Sequence, residues 1–179
     1  LVQADKTQKI FLLNQFLEAV RTTVYRQVQF AEFEKFIHNK ITAGESLQAE
    51  ALEQYWLSSN QIYYGPAMTV DPELGSEWSR IPHFYTPFYV YKYATGYSAA
   101  TAFSEAILKE FAAGKAKEKT AAPQEASAVE KYLGFLHAGG SDYSLNILKN
   151  AGVDLNTPQP VKVTLEKFSR KLNELKELL

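Results

Sequence analysis

Hydrophobic positions recur at helical spacing along most of the chain. From about Lys6 to Lys40, Ile10, Leu13, Leu17, Val20 and Val24 follow a 3-4-3-4 spacing that puts them on one helical face. Phe11, Phe16, Phe30, Phe33 and Phe36 widen this stripe beyond one seam, so the helix is expected to be buried on more than one side. Glu32 and Glu34, which alternate with Phe33, read as solvated charges on the outer face. Gly44 suits a left-handed helix end, and Ser46 can N-cap a second helix from about Leu47 to Tyr63. Asp71 to Gly75 is a turn with Pro72 at its favoured second position, and Glu77-Trp78-Ser79 adds a short helical turn. Thr86-Pro87 reads as N-cap and first position of a third helix, running to about Ala112. Its small residues (Gly96, Ser98, Ala99, Ala100, Ala102) would let a neighbouring helix approach closely.

Gly114 to Pro123 reads as a polar loop. Further helices are predicted from about Glu125 to His137, ended by Gly139 and Gly140, and from Ser144 to Ala151, capped by Ser141 or Asp142 and ended by Gly152. A last one opens at Thr157-Pro158, with Val161, Leu165, Phe168, Leu172, Leu175 and Leu179 on one face. No strand pattern outweighs these helical ones. The fold class is all-α, with residues 1–179 as a single helical (sub)domain.

Composition narrows the functional classes. A net charge of −1 with interspersed signs gives no basic footprint for nucleic acid or anionic membrane. No apolar run approaches the roughly 18 residues of a membrane span. Cys is absent, which removes disulfides, thiolate catalysis and Cys-ligated zinc, and fits a cytoplasmic location. The first residue is Leu1, the only Met is Met68, and helical pattern starts almost at once; these features point to a piece of a longer chain.

Chemistry concentrates in Arg80–Tyr97, which carries one His and five Tyr in eighteen residues. Phenols and imidazoles join an apolar body to a hydrogen-bonding tip, so they can pack and still do polar work. A helix from Pro87 would set Tyr89 and Tyr93 on one face at i, i+4, with Tyr97 a turn further on and Tyr91 to the side. His83 would lie in an extended entry, free to bend over that face. On residue types alone two readings stand side by side: a site, or a helix that buries its aromatics and satisfies their hydroxyls. Elsewhere the sequence holds no His-Glu-x-x-His, phosphate loop, nucleophile elbow or EF-hand loop. Glu34 and His38 are spaced i, i+4 as a metal edge would be, but such pairs are common on solvated helix faces. His137, just before two glycines, is expected to meet the carbonyls ending its own helix.

Three stretches carry a resemblance. They are Leu12–Leu17 with Arg26–Glu34, then Ile81–Gly96, and Phe135–Tyr143. Together they resemble the C-terminal part of the oligoendopeptidase F family of zinc metallopeptidases, relatives of thimet oligopeptidase. The resemblance implies a mostly helical fold with a cleft, and hydrolysis of short peptides by a zinc-bound water. It also implies that the zinc ligands and the general-base Glu lie before Leu1, so this chain holds no metal and is inactive alone. What it would contribute is the opposite wall of the cleft. There His83 matches a His, and Tyr93 a Tyr, that bind substrate and the tetrahedral oxyanion, with Tyr85, Tyr89, Tyr91 and Tyr97 as substrate-binding residues. The implied partners are short oligopeptides and the missing N-terminal half of the same enzyme, and a surface bared by truncation would favour dimers. The competing reading is a stand-alone helical interaction module without catalysis.

Overall fold

A computed structural model describes residues 5–114 and 126–179, and every element among them is helical. The long amino-terminal pattern folds as α1 (Lys6–Val20), a π turn (Arg21–Tyr25) and α2 (Arg26–Thr42). Backbone dihedrals stay right-handed helical across both junctions. Gly44, at φ +75°, ends this run, and the Glu45 N–H reaches back to the Lys40 carbonyl at 2.9 Å.

Next comes α3 (Ala49–Tyr64). It starts later than predicted, with Gln48 in the cap position, and Ser46 accepts a bond from Gln48 Nε2 instead of capping. Two 3₁₀ helices, Pro72–Arg80 and Pro82–Tyr85, lead to α4 (Tyr91–Ala112). The remaining elements are α5 (Ala128–Ala138), α6 (Ser144–Asn150) and α7 (Gln159–Leu178). A capping box between Ser127 and Glu130 opens α5. Beyond Gly114, the expected polar loop and the helix start at Glu125 lie outside the described residues. No helix among the described residues is long and apolar enough to cross a membrane.

The backbone divides into two compact units, with boundaries inside α1 and α4. In Glu18–Ala94, Phe30, Phe33, Leu52, Trp56, Ile81 and Val90 form the buried core, with Tyr55, Trp78 and Phe84 packed against it. Phe33 meets Trp56 edge-on at 4.9 Å and Phe84 at 5.3 Å, so the core is largely aromatic. Beside it Arg26 of α2 pairs with Glu77 of the first 3₁₀ helix. Glu77 also accepts from Trp56 Nε1 at 3.3 Å and Arg80 at 2.9 Å, and Arg26 donates to Gln29 at 2.9 Å and Asn60 at 3.2 Å. The Arg26 guanidinium lies over the Phe30 and Trp56 rings at 4.8 and 5.3 Å. Gly75 lets the same 3₁₀ helix approach α3 closely, since a Cβ there would stand 3.2 Å from Leu57 Cδ1.

In the other unit, Ala99 and Phe103 of α4 pack with Ala151 and Val153, joined by Tyr132, Phe135 and Leu148. Glu105 of α4 pairs with Lys167 and Arg170 of α7, each at 3.0 Å. Among the described residues no close approach is seen at Gly96, where a Cβ would meet no atom within 4 Å apart from its chain neighbours and its helix's own nearby backbone. Instead Ala99 and Ala102 take the packing role. The seam of α7 is offset from the predicted face: Pro160 and Thr164 are buried, while Val161 and Leu165 are exposed. The breadth of burial expected for the amino-terminal stripe holds at Phe33, 0% exposed, and fails at Phe11, 60% exposed.

Two stability measurements follow from this packing. Urea unfolding of Phe33→Ala should show a loss of about 3–5 kcal/mol, whereas Phe11→Ala stays within about 0.5 kcal/mol of the parent. Glu77→Ala should cost about 3–5 kcal/mol, because it strands the Arg26 guanidinium. The Arg26→Ala/Glu77→Ala double variant should then cost less than the sum of the singles. Additive losses would show that the pair does not act as a unit.

Candidate functional site

The aromatic stretch is built on an alternation between anchored and outward-facing residues. Ile81, Phe84 and Val90 belong to the core, and Phe84 lies 5.6 Å from the Phe30 ring. His83 sits in the Pro82–Tyr85 3₁₀ turn, not in an extended entry, and is half-buried. Tyr85 in the same turn is 82% exposed.

The predicted helix start at Pro87 does not form. Phe88 adopts φ +55°, a left-handed conformation that costs a residue with a side chain about 1–2 kcal/mol and cannot lie inside an α-helix. What holds it there comes from α2. The Glu34 carboxylate, 5% exposed, accepts the Phe88 N–H at 2.6 Å. One turn on, the His38 ring stacks on the Phe88 ring at 4.6 Å. Glu34 is therefore a buried acceptor, contrary to the expectation of a solvated charge. Glu32 does remain exposed, and it accepts the Tyr63 hydroxyl at 2.9 Å. Burial, and then that hydrogen bond, push the Tyr63 phenol strongly upward.

Helix α4 begins three residues after Phe88, with Lys92 N–H bonded to Tyr89 O and Tyr93 N–H to Val90 O, both at 3.2 Å. Tyr89 thus stands ahead of the helix, yet still meets Tyr93. The Tyr93 hydroxyl donates to the Tyr89 hydroxyl at 3.3 Å, and their rings meet edge-on at 5.5 Å. His83 completes the group, stacked on Tyr89 at 5.9 Å and edge-on to Tyr93 at 6.0 Å. The hydrogen bond to Tyr89, with a smaller contribution from burial, raises the Tyr93 phenol above the ordinary tyrosine value. Lys92 places its ammonium 5.4 Å from the centre of the Tyr89 ring. The Tyr93 phenol of this surface cluster is therefore a neutral donor at neutral pH.

Of the sequence-predicted residues, the structure brings together His83, Tyr89 and Tyr93. Tyr85 points to solvent, and Tyr91, two residues before Tyr93, leaves α4 roughly 200° around the axis from it. Tyr97 belongs to the other unit, where burial raises its phenol. His137 does meet a carbonyl of its own helix, but one a turn back from the end of α5. Its Nδ1 lies 2.7 Å from the Leu133 carbonyl, which can only accept, so that nitrogen carries the proton. The sequence reading missed Glu34, His38 and Phe88 as builders of the site. The available signal was that Glu34 occupies a core register, with Phe30, Phe33 and Ile37 at i, i+3 and i+7. Among the described residues no three His, Asp or Glu side chains converge as a metal site, so these residues do not fit a zinc ion.

Comparisons with known proteins agree with this architecture. The model of "Peptidase family M3" matches residues 1–167. Oligopeptidase PepF of Bacillus subtilis (strain 168) is 47% identical over 175 residues, covering 98% of this chain and 24% of that protein. Oligoendopeptidase F (plasmid) of Lactococcus lactis subsp. cremoris is 39% identical over 98% of this chain and 27% of its own length. The crystal structure of oligoendopeptidase-F from Enterococcus faecium superposes with a TM-score of 0.87 at 41% identity, covering 98% of this chain and 31% of that one. The chain thus spans about a quarter of the length of the curated relatives it matches. On the evidence of fold, sequence and extent of match, the chain belongs to Peptidase family M3.

Proposed function

We propose that this chain is the donor wall of a zinc-dependent oligoendopeptidase active site, the part that binds a short peptide and stabilises the oxygen that becomes negative during hydrolysis. The observation that carries the reading is the surface cluster in which Tyr93 donates to Tyr89 at 3.3 Å with the His83 ring beside both. That distance is long for an O–H···O bond, so the Tyr93 proton is weakly committed and can be redirected to a stronger acceptor. A peptide carbonyl turning tetrahedral is such an acceptor, because its oxygen gains charge as the carbon is attacked.

In this reading Tyr93 and His83 donate to that oxygen. Tyr89, released from accepting, holds the Tyr93 ring in place and contacts the substrate, with Tyr85 as a further substrate contact. The phenol must be neutral to donate. Its raised folded-state value keeps it protonated through neutral and mildly alkaline pH, so Tyr93 does not limit activity on the alkaline side there. In this reading zinc and the attacking water belong to the remaining length of the enzyme. The absence of Cys suits a reducing cytoplasm.

In the full-length peptidase, Tyr93→Phe should lower kcat by roughly 10²–10³ while KM changes little, because the lost bond matters most in the transition state. An unchanged kcat removes Tyr93 from the reaction. The 179-residue chain by itself should hydrolyse no peptide and hold no stoichiometric zinc in metal analysis. Tight 1:1 zinc would contradict this division of labour.

A further inference from the structure

The pair Glu34 and His38 has the spacing of a metal edge, but the structure gives it a different task. Both lie on one face of α2 and both engage Phe88. Glu34 takes its amide proton at 2.6 Å, and His38 stacks on its ring at 4.6 Å with 29° between the planes. Phe88 sits in the left-handed region, where a phenylalanine does not stay without help. The next residue is Tyr89. Its backbone carbonyl starts α4 and its hydroxyl accepts from Tyr93. We propose that Glu34 and His38 are positioning residues: they clamp the left-handed Phe88 turn, and so set Tyr89 against Tyr93 and His83 in the donor cluster. The catalytic part of this inference rests on the function proposed above; the structural part does not.

The chemistry of the clamp specifies its variants. A bond from an amide N–H requires an oxygen acceptor but no charge, so Glu34→Gln keeps it through the amide carbonyl, whereas Glu34→Ala removes it. His38→Ala takes away the stack and leaves the buried acceptor in place, and at a half-buried position it perturbs folding less. A turn released from its clamp lets Tyr89 drift, and displacement on the order of 1 Å at a catalytic group costs up to about 10²-fold in rate.

The test reads geometry and catalysis separately. In NMR spectra of the 179-residue chain, ring-to-ring Overhauser signals between Tyr89 and Tyr93 should vanish in Glu34→Ala and weaken in His38→Ala. They should persist in Glu34→Gln, and the core signals between Phe33 and Trp56 should persist in all three. In the full-length peptidase, Glu34→Ala should lower kcat by roughly 10- to 100-fold with KM within about threefold, and Glu34→Gln should stay near the parent. Three results overturn the proposal. They are a Tyr89–Tyr93 signal that survives in Glu34→Ala, a Phe33–Trp56 signal that disappears together with it, or Glu34→Gln failing as completely as Glu34→Ala. If the geometry responds as stated but Tyr93→Phe leaves kcat unchanged, the clamp stands and the functional reading is what fails.

Discussion

The Arg26–Glu77 ion pair is the constraint on which the described site depends. The segment between α3 and α4 has little regular structure to hold it, only two 3₁₀ helices and a left-handed turn. It stays in place because Glu77 is gripped from α2 by Arg26 and from α3 by Trp56 Nε1. Removing two charges from water is costly, and this pair offsets that cost through the groups that surround it. Gln29 and Asn60 accept from Arg26 Nη1, Arg80 donates to the other Glu77 oxygen, and Phe30 and Trp56 present ring faces to the guanidinium. A single uncompensated partner would turn this anchor into a liability.

Below the ion pair the segment divides its side chains between two jobs. Trp78, Ile81, Phe84 and Val90 insert into the aromatic core of Phe30, Phe33 and Trp56, and this burial fixes the backbone. His83, Tyr89 and Tyr93 are left on the outside of the same backbone, where their polar tips face solvent and one another. The donors are therefore anchored through chain neighbours that are buried. Hydrogen-bond donors held in advance of a reaction avoid the reorganisation that water would undergo, which is how the proposed wall would assist a reaction that develops charge.

How much of this was legible in the sequence depends on periodicity. The long helical runs were readable because i, i+3, i+4 patterns report a buried face directly, and the left-handed ends at Gly44, Gly139 and Gly152 sit where glycines end those runs. The cluster of His83, Tyr89 and Tyr93 was readable as residue types and as a family likeness. The route by which they meet was not. Thr86-Pro87 carries a valid helix-start signal, yet tertiary contacts from Glu34 and His38 win, holding Phe88 where no local preference would put it. Glu34 itself was misread because a carboxylate beside phenylalanines looks solvated unless its partner, 54 residues away, is known. Phe11 erred in the opposite direction: a hydrophobic stripe predicts burial, yet Phe11 is 60% exposed.

The central proposal is that this chain faces the reacting carbonyl of a peptide. The most direct measurement is a crystal structure of the full-length peptidase with a bound phosphinic peptide, whose tetrahedral phosphorus oxygens mimic the oxyanion. The account predicts the Tyr93 hydroxyl within about 3 Å of a phosphinic oxygen, with His83 in hydrogen-bonding reach of the same ligand and Tyr89 still packed against Tyr93. A ligand bound with Tyr93 and His83 remote from the phosphinic group would contradict it.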